Sequence, residues 1–397
     1  MNISKFLIIA VAMVVAVSCI NKNNFIFPGT PENPAPFNDL TAAELTSRIK
    51  IGWNLGNTLD TMGNEINGFS WLGNGVYANT TVTQMETAWG NPVTSKENII
   101  ALKEAGFNTI RIPVSWSKAV DSNHNIREDW MARVVEIVNY AVDNDMYIIL
   151  NTHHDEGIFK FTNAETEKSL KAFKKIWNQI ARTFRNYDEK LIFEALNEPR
   201  TKNVPYEWSG GNAMERINLN RHYKVFVDTV RASGGNNNKR ILMINTYGAS
   251  TIAAAINDLV IPADTAQNKI IVSVHSYSPY NFALNTNRIH NSWDKDNPRD
   301  ISAITDEIDR AYNAFVVKGI PVIMGEFGAM NKDNEEARAQ WAEFYVRHAM
   351  NRGIPCIWWD NGGFSGDGEL FGLLDRRSNT LPYPQIVAAL MRGIEGD

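Results

Sequence analysis

From Leu40 onward, short apolar runs alternate with amphipathic stretches. Eight runs, IKIGWNLGNTL, NTIRIPVSW, MYIILNTHH, LIFEALNEP, RILMINTYG, IIVSVHSYSP, IPVIMGEFGA and IPCIWWDNG, begin near residues 49, 108, 146, 191, 240, 270, 320 and 354. Each is rich in Ile, Val, Leu or aromatic residues and ends in polar residues, Gly or Pro, the pattern of a strand feeding a turn. Between them lie stretches with 3.6-residue spacing, such as Asp129 to Asn144 and Glu335 to Asn351, the latter stopped by Gly353 and Pro355. Nearly continuous apolar strands alternating with helices predict a parallel sheet covered on both faces. Eight such units predict the α/β class and a single closed (β/α)8 TIM barrel over residues 39–397. An open doubly wound sheet is the alternative, but GWNLGN lacks the third glycine and the strand–turn–helix setting of a dinucleotide site. The first connection, residues 60–94, is long, holds Trp71, Tyr77 and Trp89, and predicts a small insertion.

The pattern changes ahead of Leu40. Lys5 precedes an uncharged run from Phe6 to Val17, whose twelve residues are too few to span a bilayer comfortably and match a secretory signal. Ala16 and Ser18 stand before Cys19, as in a bacterial lipobox, so residues 1–18 are expected to be a signal peptide and Cys19 the lipidated first residue of the mature chain. An ordinary signal peptide with a chance Cys is the plainer reading. Residues 19–38, with four Pro and five Asn after Cys19, are expected to form a flexible linker from membrane to barrel. The expected location is the bacterial cell envelope, lipid-anchored at the outer membrane.

Composition narrows the function classes. The chain has 397 residues, 44% hydrophobic and 21% charged, which excludes a disordered chain, a collagen and a coiled coil. A net charge of -5 argues against nucleic acid as a partner, since phosphate contacts need concentrated Lys and Arg. Cys19 and Cys356 are the only cysteines, so no disulfide scaffold is expected, and Cys356, inside an apolar run, reads as inert packing. Eleven tryptophans can fill the core or act as platforms for flat apolar faces such as sugar rings. The expected assembly is a monomer.

In barrels of this kind the chemistry sits at the C-terminal strand ends. Here those ends carry Asn54, Arg111, His153, His154, Asn197, Glu198, His275, Tyr277, Glu326 and Trp359. Glu198 on strand four and Glu326 on strand seven face each other across the mouth and could flank a glycosidic bond, one as proton donor and one as ionised nucleophile. The alternative is that each is a structural ion-pair partner of Arg111 or a Lys. Adjacent residues on a strand point to opposite faces, so His153 and His154 are not expected to chelate one ion, and no metal is expected. His275 and Tyr277, two apart, share a face. Glu194 is assigned to an ion pair inside the barrel, and Asp155 and Asp360 to loop starts.

These residues resemble glycoside hydrolase family 5, the cellulase-like barrels. GWNLGNTLD, ETAWGNP, GFNTIRIPVSW, LNTHHDEG, FEALNEPR, VHSYSPYNFAL, PVIMGEFGA and IWWDNG occur in family order, and ETAWGNP and IWWDNG are similar to subfamily 4. The resemblance implies that Glu198 is the acid/base and Glu326 the nucleophile of a retaining endo-β-1,4-glucanase. Soluble cellulose, mixed-linkage β-glucan and xyloglucan are the implied substrates, with no cofactor. It implies that Asn197 bonds the sugar 2-hydroxyl, that Arg111 and Tyr277 contact the nucleophile, and that His153 and His275 line the cleaved-bond subsite. Trp359 becomes the floor beneath that sugar, with Asn54, Trp89 and His154 as further substrate contacts. The carboxyl groups are expected about 5–5.5 Å apart, with Glu198 lifted toward its protonated form by the charge of Glu326. The competing readings are a related barrel glycanase on mannan or xylan, a non-catalytic glycan-binding lipoprotein and a metal-dependent hydrolase.

Overall fold

The computed structural model describes residues 26–62 and 80–396. The signal segment, Cys19, and Trp71 and Tyr77 of the expected insertion lie outside the described residues. Eight strands, β1 (Ile51–Leu55), β2 (Thr109–Ile112), β3 (Tyr147–Asn151), β4 (Leu191–Glu194), β5 (Leu242–Asn245), β6 (Ile270–His275), β7 (Val322–Phe327) and β8 (Cys356–Asp360), pair in chain order. All pairs are parallel, and β8 closes onto β1 through Ile51↔Cys356 to Leu55↔Asp360.

Inside the barrel the inward positions form two levels. The lower is apolar: Ile149, Ile192, Met243, Ile271, Ile323 and Ile357 pack together, closed from below by Ala42, Leu45 and Ile49. The plug helix Ala42–Thr46 is short and depends on its cap, a reciprocal box between Thr41 and Glu44. Two residues further along the strands the inward positions turn polar. Glu194 follows Ile192, Asn245 follows Met243, Ser273 follows Ile271, and all three are fully buried beside Asn54 and Arg111. Apolar floor and polar mouth are thus written with a period of two in β4, β5 and β6.

The larger core lies between strands and helices. Helix Thr166–Thr183 shows the logic: Phe173, Ile176, Trp177 and Ile180 recur at helical spacing and are all buried, and Trp177 meets Phe193 of β4. Burying Phe173 or Ile176 stabilises the fold by roughly 1.5–3 kcal/mol each. Helix Pro298–Ala314 starts where Asn297 caps it and Pro fits the first turn. Helix Glu335–Met350 ends at the expected Asn351. No helix among the described residues is long and apolar enough to cross a membrane.

The described part of the expected flexible linker is not loose. Asn139 donates to the carbonyl of Gly29, Asn186 to those of Pro31 and Glu32, and Glu189 accepts from both backbone and side chain of Asn38. These bonds satisfy a backbone that has few apolar side chains to bury, and they fasten residues 29–38 to the barrel surface.

Candidate active site

A bulge aims the first glutamate. Ile323 faces into the barrel, so strict alternation along β7 would turn Glu326 outward. Against β6 the register runs Val274↔Met324 and then His275↔Glu326, which makes Gly325 an extra residue. The bulge brings Glu326 into the mouth and leaves Phe327 outside, stacked on Trp341. Glycine is required there: a Cβ would stand 2.5 Å from Ser273 Oγ.

Arg111 organises the polar level. Fully buried, it donates from Nε to Glu194 at 2.6 Å, from Nη1 to Glu326 at 2.7 Å and Asn54 at 2.9 Å, and from Nη2 to Asn197 at 2.8 Å. The expected Glu194 ion pair is this one. Tyr277 donates to the other oxygen of Glu326 at 2.9 Å. Burial, then the charges of Glu326 and Glu198, push the Tyr277 hydroxyl well up, so it stays a donor. Asn197 accepts from Arg111 with its oxygen, which leaves its N–H groups for a ligand.

Glu198 does not sit on strand four. β4 ends at Glu194, and Glu198 lies four residues further on, in the loop. The loop is tied by Arg200, which donates to the Glu198 carbonyl at 2.9 Å, to its carboxylate at 3.2 Å and to Glu207 at 3.0 Å. His275 Nδ1 is 3.1 Å from Glu198 and 3.6 Å from Glu326, and one atom from each of the three groups lies within 4.8 Å of the others. The expected upward shift of Glu198 is not what this arrangement gives when His275 Nδ1 is the donor. Burial raises the carboxyl, but that hydrogen bond and the charges of His275, Arg200 and His154 bring it below its ordinary value.

The floor is aromatic. Trp359 and His153 lie parallel, 5.7 Å between ring centroids. Burial, then the charges of His154, Arg111, His275 and Arg200, push His153 well below the ordinary histidine range, so it is neutral. His154 meets His153 edge-on at 4.4 Å and Trp89 at 5.9 Å. The expected divergence of the two histidines fails because β3 stops at Asn151 and the chain beyond is no longer a strand. Both imidazoles and Asp60 therefore offer ligand atoms within 4.8 Å of one another. Both Asp60 oxygens already accept backbone N–H groups, from Thr58 and Asn57, which suits a loop anchor. Burial alone would lower His154, but Glu156, by hydrogen bond and charge, and then Asp60 raise it.

The expectation for Asn54 needs correction. Asn54 is fully buried, its Nδ2 donates to the carbonyls of Gly325, Ile357 and Trp358, and its oxygen accepts from Arg111, so it offers no face to a substrate. Asp360, expected at a loop start, supports the loop after β8 rather than facing solvent. It accepts from Trp53 Nε1 at 2.8 Å and from the backbone of Gly362, Leu373 and Leu374, tying the β8 loop to the barrel wall. Asp155 is likewise buried, receiving the N–H groups of Trp116 and Ser117. Cys356 is buried, and burial pushes its thiol up, in keeping with inert packing. Trp89, half-buried, donates to the Met62 carbonyl at 3.2 Å.

The sequence reading missed Arg200 and Trp208. Trp208 is 58% exposed beside the loop of Glu198, with the Arg200 guanidinium 4.1 Å from its ring. A large aromatic held that bare on a buried arginine offers a flat face at the rim. The signal was available: Arg200 stands two residues after Glu198 in NEPR, and Trp208 follows in a Gly-rich WSGG turn.

Residues 73–365 match the sequence model of the family described as Cellulase (glycosyl hydrolase family 5). The chain is 42% identical over 355 residues to endoglucanase A of Clostridium longisporum, covering 89% of this chain and 66% of that one. It is 42% identical over 364 residues to endoglucanase B of Ruminococcus albus, covering 91% and 83%. It spans only 41% of a cellulase/esterase of Acetivibrio thermocellus to which it is 43% identical. Among solved structures, a GH5-4 broad specificity endoglucanase from Ruminococcus champanellensis with bound cellotriose superposes with a TM-score of 0.85 at 48% identity, covering 90% of this chain and 100% of that one. A GH5 family lichenase from Caldicellulosiruptor sp. F32 gives 0.83 at 41%, covering 91% and 97%.

Proposed function

The chain belongs to the cellulase family, glycosyl hydrolase family 5, and from that premise we propose that it is a retaining endo-β-1,4-glucanase acting on soluble cellulose, mixed-linkage β-glucan or xyloglucan. The observation that carries the reading is the pairing of Glu198 and Glu326, with one oxygen of each within 4.8 Å and His275 between them. That spacing is nearer the about 5–5.5 Å of retaining enzymes than the about 6.5–9.5 Å of inverting ones. Similarity to a lichenase and to broad-specificity endoglucanases supports more than one glucan as substrate.

In this mechanism a sugar lies over Trp359 and His153, its 2-hydroxyl bonded to Asn197. Glu326, charge-balanced by Arg111 and held by Tyr277, attacks the anomeric carbon while Glu198 protonates the leaving oxygen. A water then enters, Glu198 takes its proton, and the glycosyl–Glu326 ester is cleaved with configuration retained. Trp208 is placed to stack a sugar on the leaving-group side, because it flanks the loop of the acid.

The test is a panel of carboxymethyl cellulose, lichenan, xyloglucan, mannan and xylan with product analysis. Release of oligosaccharides of mixed length from one or more of the β-glucans is expected. Turnover of mannan or xylan alone would shift the activity to the neighbouring glycanases, and no turnover on any would leave a glycan-binding protein.

We further propose that the chain is exported and anchored at the cell envelope through Cys19. Labelled palmitate is expected to enter the native protein and not the Cys19→Ala variant. A mature N-terminus other than residue 19 would defeat this reading.

A further inference from the structure

Lys332 spends a buried charge on backbone alone. It stands in the loop after β7, 3% exposed, and its ammonium donates to the carbonyls of Asn281 at 2.6 Å, Phe282 at 2.9 Å and His290 at 3.0 Å. An ammonium has three hydrogens to give, and here each has its own acceptor. Burial pushes Lys332 down to about 8, so it still carries its charge at neutral pH. A buried lysine without a carboxylate partner is a costly choice for filling space, which points to the loop it holds.

All three carbonyls belong to the loop after β6. Residues Tyr280–Ala283 make a single helical turn, and the last carbonyls of a helix find no partner within it. Lys332 takes those of Asn281 and Phe282, and the Met330 N–H takes that of Ala283 at 3.0 Å. The His290 carbonyl lies further along, so one ammonium pins the loop at two separated points. Asn334 Nδ2 adds the carbonyl of Asn291 at 2.9 Å, and Arg288 pairs with Asp333 at the surface.

The joint lies behind the nucleophile. Leu284 follows the pinned turn and Met330 precedes Lys332 by two residues. Both pack in one apolar cluster with Phe371, Tyr277 and Trp359. The Tyr277 ring rests 5.5 Å from that of Phe371, and its hydroxyl donates to Glu326 at 2.9 Å. The backbone on either side of Tyr277 is held at the carbonyls of Ser276 and Ser278 by Tyr345 and Trp341. The next ties along the loop are those of Lys332 and Met330.

We propose that Lys332 is a positioning residue that locks the loop after β6 onto the loop after β7 and, through the cluster of Leu284, Met330 and Phe371, holds the Tyr277 hydroxyl on Glu326. Its catalytic meaning rests on the hydrolase reading. An apolar side chain of similar length fills the space but leaves three carbonyls unpaired. The turn must then shift toward water, which draws Leu284 from the cluster and loosens the tyrosine.

Lys332→Met is expected to lower kcat/KM about tenfold on a cello-oligosaccharide and on a dinitrophenyl cellobioside alike, since both need Glu326. Tyr277→Phe keeps the ring and removes the hydroxyl, and should lose a similar factor. Adding Lys332→Met to Tyr277→Phe should then cost less than about twofold more, because the group it positions is gone. Should Lys332→Met not fold, Lys332→Gln, which keeps two N–H donors, carries the same cycle. Losses that multiply in the double variant, or wild-type kcat/KM in the folded single variant, overturn the proposal. Amide hydrogen exchange needs no substrate. Residues 281–291 should exchange about tenfold faster in the Lys332 variant, and unchanged exchange there also overturns it. A chain that hydrolyses nothing would fail the hydrolase reading and still report the lock.

Discussion

Glu326→Ala is expected to abolish turnover on every substrate, activated or not, because no glycosyl-enzyme can form. Removing a nucleophile of this kind lowers kcat on the order of 10⁶-fold in enzymes that use one. Glu198→Ala is expected to behave differently. It should spare the first step on a dinitrophenyl cellobioside and stall at the ester, which lacks a base to activate water. Added azide needs no base. It should attack the intermediate in Glu198→Ala and give a β-glycosyl azide, whereas Glu326→Ala with azide should give the α-anomer by a single displacement. The reverse pairing of anomers would exchange the two roles. The geometry behind the expectation is unequal support: Glu326 meets a guanidinium at 2.7 Å and a tyrosine hydroxyl at 2.9 Å, while Glu198 sits in a loop with His275 at 3.1 Å.

Arg111→Met should be the most destabilising substitution in the barrel mouth. One guanidinium satisfies Glu194, Glu326, Asn54 and Asn197 from inside a fully buried site. Its removal strands two carboxylates, and breaking a buried ion pair from one side costs about 3–5 kcal/mol. Arg111→Lys keeps the charge but not the planar fork that spans four partners. It should recover part of the stability and little of the activity. Urea unfolding followed by tryptophan fluorescence, alongside kcat on carboxymethyl cellulose, checks both. A lysine variant with wild-type kcat would show that charge alone, not the shared geometry, supports Glu326.

The barrel was legible because its strands are buried on both faces, which concentrates Ile, Val and Leu into eight bounded runs. Inward polarity was legible at Glu194, which a period of two puts above Ile192; Asn245 and Ser273 follow the same rule above Met243 and Ile271 but were not singled out. Departures from regular strands were not. The Gly325 bulge reverses the alternation that would face Glu326 outward; the glycine within MGEFG was its mark, and it was not read as one. Glu198 lies beyond the end of β4, and the two histidines beyond the end of β3, where strand rules no longer say which way a side chain points. Asn54 was expected as a ligand contact from the family resemblance, and a polar strand-end residue serves either the ligand or the protein. Only its three carbonyl acceptors and its bond from Arg111 decide between them. The docked residues 29–38 carry a Pro- and Asn-rich composition that signals a poor core former, not the partners its backbone finds on the barrel.

Stereochemistry tests the account at its centre, because the proposed covalent role of Glu326 requires two displacements. Proton NMR of cellotetraose or a longer cello-oligosaccharide, recorded within the first minutes of hydrolysis by the wild-type protein, reads the anomer of the newly formed reducing end before mutarotation mixes it. The β-anomer is expected to appear first and the α-anomer to grow in only as mutarotation proceeds. An initial burst of α-anomer would mean a single displacement by water and would contradict the covalent role of Glu326.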